Sequence, residues 1–106
     1  MKLITKALEE RFEKIGDQSQ SIDPIFIAKF FNPAGRQTWY ATEYDKENNI
    51  CFGYVTGFDF IEWGYFSIDE LEALKLPYGL KIERDLFFQE TRSNKFIQDK
   101  EQELER

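Results

Sequence analysis

The chain has 106 residues, a net charge of −6, one cysteine and no histidine. Its length predicts a single core. The lone cysteine excludes an intrachain disulfide, the lack of histidine excludes Ser-His-Asp and Cys-His catalysis within the chain, and the acidic balance disfavours generic phosphate binding. No apolar run approaches the roughly 20 residues of a membrane span. Met1-Lys2-Leu3-Ile4 runs at once into a charged helical pattern, so no secretory leader is expected. The expectation is a soluble, cytoplasmic protein with a buried thiol at Cys51.

Thr5 is a predicted N-cap for a helix over Lys6 to Ile15, with Leu8, Phe12 and Ile15 on one face and Gly16 placed to end it. Asp17 to Asp23 is a polar linker. Ile25 to Phe31 is predicted as the first strand, apolar on both faces except at Lys29. Asn32-Pro33-Ala34-Gly35 is a turn cluster. In the second strand, Gln37 to Tyr44, alternation puts Trp39, Ala41 and Glu43 on one face and Tyr40, Thr42 and Tyr44 on the other.

Asp45 to Asn49 forms a loop whose asparagines tolerate positive φ. The third strand, Ile50 to Phe58, contains Gly53 and Gly57, which suggest a bulge or a ring lying over the backbone, Trp39 and Trp63 being the candidate rings. Glu62 to Phe66 is a short fourth strand. Ser67-Ile68-Asp69-Glu70 is a capping box that opens a second helix, Ser67 to Lys75, with Ile68, Leu71 and Leu74 as its buried stripe. Leu80 to Phe88 is a fifth strand. Ser93 to Arg106 is a polar segment, either helical or mobile, whose sizeable apolar residues are Phe96, Ile97 and Leu104.

These elements predict an α+β fold. A curved antiparallel sheet of about five strands carries an N-terminal helix and a short helix after the fourth strand, followed by a helical or mobile tail. Residues 1–90 form the expected domain and 91–106 the tail. Eleven Phe, five Tyr and two Trp are more rings than one face of such a sheet can hide. Either the sheet curls into a barrel or an aromatic patch meets solvent. Trp39 and Trp63 are read as core, and Tyr40, Tyr44 and Tyr54 as the exposed patch if there is one.

The strings Thr38-Trp39-Tyr40-Ala41-Thr42-Glu43-Tyr44-Asp45, Phe52-Gly53-Tyr54-Val55 and Glu62-Trp63-Gly64-Tyr65-Phe66-Ser67 carry a resemblance. So do the opening Met1-Lys2-Leu3-Ile4-Thr5-Lys6 and the late Gly79-Leu80-Lys81-Ile82-Glu83-Arg84-Asp85. Together they resemble a bacterial family catalogued as a domain of unknown function, number 2958. The resemblance spans about residues 1 to 90 and stops at Thr91. It implies a small cytoplasmic bacterial accessory protein of a mobile element. It transfers no activity and gives no residue a role.

Three functions are open. The first is a non-enzymatic module binding another protein through an aromatic, acidic surface of Trp39, Tyr40, Tyr44, Tyr54, Glu62, Trp63 and Tyr65. The second is a nucleic-acid-linked role: stacking on single strands with help from Lys29, Arg36, Lys81 or Arg84, or acidic mimicry of DNA toward a host enzyme. The third is a metal-dependent hydrolase pairing Glu62 with Glu43 or Asp69, in which Glu62 is partly desolvated against Trp63. No phosphate-loop spacing is present, and no cofactor, resident metal or membrane contact is expected.

Overall fold

A computed structural model describes residues 1–104. The elements run α1 (Lys6–Ile15), β1 (Ile25–Phe26), β2 (Ala28–Phe31), β3 (Thr38–Asp45), β4 (Ile50–Thr56), β5 (Glu62–Ser67) and α2 (Ile68–Ala73). A 3-10 turn (Pro77–Gly79), β6 (Glu83–Arg84), β7 (Thr91–Arg92) and α3 (Ser93–Leu104) complete them. Five strands form one antiparallel sheet in the order β5-β4-β3-β2-β6, while β1 and β7 make a separate ribbon. The fold is α+β, and the sheet is open rather than closed. The helical form of the tail is the one observed. Its expected continuation through Glu105 and Arg106, and the side chain of Leu104, lie outside the described residues.

Local chemistry sets the helix ends. The Leu8 amide donates to Thr5 Oγ1 at 3.2 Å, and Gly16, at φ 76°, closes α1 by donating to the Phe12 carbonyl. The Glu70 amide donates to Ser67 Oγ at 3.1 Å, which is the one half of the capping box seen among the described residues. Helix α2 stops at Ala73, short of Lys75. Leu74 is already extended and exposed, so the buried stripe is Ile68 and Leu71 alone. Leu76 is held extended as the residue before a proline.

Two breaks in the strands decide where the rings go. The expected strand Ile25–Phe31 is interrupted at Ile27, whose amide donates to the Ala41 carbonyl at 2.8 Å. Ile27 and Ala28, although consecutive, enter the same core, which an unbroken strand forbids. Phe26 is thereby sent to the opposite face. The second break is in β3, where the register passes from Ala41↔Gly53 to Glu43↔Phe52 and leaves Thr42 as an extra residue. This bulge inverts the alternation beyond it. Tyr44 therefore joins Trp39 on one face, and Glu43 joins Tyr40 on the other, contrary to simple period-two counting.

The face carrying α1 and α2 holds the main core: Leu3, Phe12, Ile27, Phe30, Trp39, Cys51, Ile68, Leu71 and Ile82 among others. The space over Gly53 and Gly57 is filled by backbone, not by an indole. A Cβ at Gly53 would overlap the Tyr40 carbonyl, and one at Gly57, at φ 91°, would overlap that of Arg36. The expected fifth strand shrinks to Glu83–Arg84. Asp85 Oδ1 accepts from the Phe87 amide at 2.9 Å, a turn that leads the chain off the sheet and leaves Leu86 and Phe87 exposed.

Candidate functional site

The face opposite the main core is built from rings in cross-strand rows. One row is Trp63–Tyr54–Tyr40–Lys29, and the next is Tyr65–Phe52–Glu43. Phe26, wholly buried, is the keystone of this face. Its ring lies 5.2 Å from Tyr40, 6.0 Å from Tyr54 and 5.7 Å from Trp63, and Phe96 of α3 meets it edge-on at 5.6 Å.

Helix α3 is tied down at its start by the chain before β1. The Ser93 amide donates to the Pro24 carbonyl at 2.8 Å, and the Asn94 amide donates to Asp23 Oδ1 at 2.9 Å. From there Phe96 covers Tyr40, which is only 6% exposed. A groove of about 230 Å³ separates Phe96, Ile97 and Lys100 from Tyr54 and Ile61. Beyond it the rings emerge: Trp63 is 41% exposed and Tyr65 78%.

Trp63 and Tyr65 are exposed but held in place. The Trp63 ring stacks on Phe52 at 6.2 Å and 19°, and lies 5.2 Å from Tyr54; Tyr65 meets Phe52 edge-on at 5.0 Å. The expected core position of Trp63 gives way because nothing in the sheet lies beyond β5 to cover it. The predicted residues thus divide. Tyr54, Trp63 and Tyr65 share one surface, Tyr40 lies buried beneath α3, and Trp39 and Tyr44 belong to the other face. Tyr44 there meets Phe12 at 5.7 Å and donates to Asn49 Oδ1 at 2.6 Å.

Phe52, half-buried, and Phe26, buried beneath the other rings, belong to this face and are not among the site residues expected from the sequence. Phe52 has the same parity as Tyr54 on one strand, so its place was readable. Phe26 was not, because the break at Ile27 has no sequence signature. Gln18, read as linker, is a clamp. Its Nε2 donates to the carbonyls of Ile25 (2.9 Å) and of the bulge residue Thr42 (2.8 Å), and its Oε1 accepts from the Ile25 amide (2.7 Å).

Glu43 is half-buried at the end of the Phe52 row, where the Gln18 amide donates to its Oε2 at 3.0 Å. Burial pushes its carboxyl above the ordinary value despite that bond, while the Ser19 amide holds neighbouring Asp17 below its own. With Trp63 and Phe52, Glu43 borders a cleft of about 310 Å³. Glu62 is exposed. Adjacent strand residues point to opposite faces, so its carboxylate does not lie against the Trp63 indole.

Asp69, on α2, accepts from Asn49 Nδ2 at 2.8 Å. Glu43, Glu62 and Asp69 therefore do not converge, and the described residues contain no cluster of acidic and thiol groups able to hold a metal ion. Lys29 is paired with Asp85 at 3.6 Å, and Arg84 donates to Thr5 Oγ1 at the β6 edge, so neither adjoins the exposed rings. Burial pushes the Cys51 thiol up, away from the reactive thiolate.

The family described as "Protein of unknown function (DUF2958)" matches residues 3–102. The chain belongs to the DUF2958 family. The match continues past Thr91, where the resemblance read from the sequence stopped, and takes in most of α3. Within the DUF2958 match therefore lie both the ring-bearing strands and the helix that partly covers them. No curated protein and no solved structure matches the chain. No helix among the described residues is long and apolar enough to cross a membrane.

Proposed function

We propose that this DUF2958 protein is a non-enzymatic binding module that engages another protein through Trp63, Tyr65 and Phe52, with Tyr54 and Glu43 at the margin. The observation that carries this reading is an exposed indole and phenol standing on a packed aromatic base. Trp and Tyr are the residue types that dominate interface energetics, because a large ring buries much area with few torsions to freeze. Trp63 and Tyr65 are already braced by Phe26 and Phe52, so ordering them on binding costs little further entropy. The role of accessory protein in a bacterial mobile element, implied by the family resemblance, fits a module that acts by binding. Carboxylate catalysis is less well supported, since Glu43, Glu62 and Asp69 lie apart.

The test is capture from host lysate by the immobilised wild type and by the Trp63→Ala/Tyr65→Ala variant. A protein retained by the first and lost by the second supports the reading. Equal capture by both, with the variant shown to be folded by circular dichroism, would refute it.

A further inference from the structure

Strand β5 is the long edge of the sheet. It pairs with β4 in an unbroken register from Val55↔Glu62 to Ile50↔Ser67, and no strand among the described residues pairs with its other side. Among the described residues no other backbone or side-chain hydrogen bond reaches the backbone of Glu62 to Phe66. Proteins usually blunt such an edge with a lysine, a proline, a bulge or brevity. The opposite edge, β6, is short, with two residues. β5 has six residues, none of them lysine or proline, and no bulge. A row of free amides and carbonyls beside braced, exposed rings is chemistry that an extended chain satisfies: the backbone pairs, and alternate side chains lie over the rings.

The charge around β5 selects the occupant. Along this stretch of surface acidic groups outnumber basic ones: Asp59 and Glu62 share a hollow with Arg36, Glu101 and Glu103 share the groove beside Ile61 with Lys100, and Glu43 ends the Phe52 row. A second copy would bring two such stretches together, and a phosphate backbone would meet the same repulsion. A basic strand meets attraction, and its cations would sit next to Trp63 and Tyr65, whose ring faces attract them.

We propose that β5 is a strand-addition site for an extended, basic segment of a partner protein, which pairs along Glu62–Ser67 and lays cationic side chains over Trp63 and Tyr65. This rests on the protein-binding reading above and adds the geometry and charge of the partner.

The test uses the full chain and synthetic peptides of about eight residues, the length of a typical strand. One alternates Arg with Thr, a second has Glu in place of Arg, and two more are the Arg peptide N-methylated on alternate amides of opposite parity. The Arg peptide is expected to bind, the Glu peptide not to bind. One N-methylated peptide should bind like its parent and the other should not, because only one parity of amides faces β5. Amide exchange of Trp63 to Ser67 should slow on binding, and Trp63→Ala should weaken affinity by roughly tenfold.

Binding that is indifferent to N-methylation and leaves β5 exchange unchanged would overturn strand addition while leaving the aromatic-surface reading in place. Binding unaffected by both Trp63→Ala and Tyr65→Ala would count against that reading too. Failure of the Arg peptide to bind would overturn the proposed occupant. So would β5 protection that grows with protein concentration alone, which would make the partner a second copy, or protection by a single-stranded oligonucleotide instead.

Discussion

Gly53 and Gly64 face each other across β4 and β5, and alanine should act on them in opposite directions. At Gly53 the added methyl would overlap the Tyr40 carbonyl oxygen and lie 2.8 Å from its carbon and 3.0 Å from Ala41 Cα. Every one of these atoms is backbone in the central β3–β4 pair, so no side chain can swing away. Relief requires moving one strand against a ladder bonded on both sides. Overpacking by a methyl typically costs about 1–3 kcal/mol, and here the upper end or more is expected because the obstacle is main chain.

At Gly64 no atom lies within 4 Å of the position a Cβ would take, and its φ is not in the left-handed region. Alanine there should stabilise by about 0.4–1 kcal/mol, by restricting the unfolded chain. Urea unfolding followed by tryptophan fluorescence measures both. With slopes of about 1–3 kcal/mol per molar, Gly53→Ala should lower the midpoint by at least about 1 M and Gly64→Ala should raise it slightly. A Gly53→Ala protein within about 0.5 kcal/mol of wild type would refute the close approach of Tyr40, and with it the β3–β4 register at the bulge.

Phe26→Ala should cost about 3–5 kcal/mol, as a wholly buried ring touching four others, and should speed amide exchange in α3, since Phe96 loses its edge-on partner. A loss below about 1 kcal/mol in urea would show that the ring is not enclosed. Glu43 has a folded pKa above its ordinary 4.5, so between the two values the folded state holds more protons and stability falls as pH rises. Glu43→Gln keeps an oxygen for the Gln18 amide and should flatten that fall; unchanged pH curves for the variant would contradict the burial of this carboxyl. Cys51 should resist thiol-reactive dye in the folded protein and react fully in denaturant, and prompt labelling without denaturant would place it nearer the surface.

What the sequence made legible was whatever depends on neighbours in the chain. The Thr5 and Ser67 caps, the Gly16 stop, positive φ at Asn49 and the β3–β4–β5 meander follow from local chemistry that each residue type carries with it. The face assignments did not follow, because period-two counting assumes that a strand is continuous. Thr42 and Ile27 break that assumption through hydrogen bonds to residues far along the chain, Gln18 and Ala41, which no local pattern announces. Tyr40 and Tyr44 therefore part company, and Phe26 crosses to the ring face. A count of three large apolar residues leaves the tail open between a helical and a mobile form. That count overlooked that one phenylalanine, Phe96, can lie over rings supplied by the sheet.

The exposure of Trp63 and Tyr65 follows from dimensions. A helix with its side chains is about 10–12 Å across, and strands are spaced about 4.8 Å apart, so one helix covers roughly two strands. On the ring face α3 lies over Tyr40 and Phe26, toward β3 and the β1–β7 ribbon. Over β5 on that face Phe26 stacks on Trp63 yet leaves it exposed, Tyr65 is more exposed still, and Tyr54 of β4 is only partly covered. To hide the remaining rings the sheet would have to close or carry another helix, and its terminal strands do neither. The bulge at Thr42 and the break at Ile27 have meanwhile moved Phe26 and Glu43 onto this face. The outcome is an aromatic surface with a buried base, an acidic margin and an unpaired edge. Filling any one of these alone would leave the others unmatched, whereas one basic extended segment answers all three.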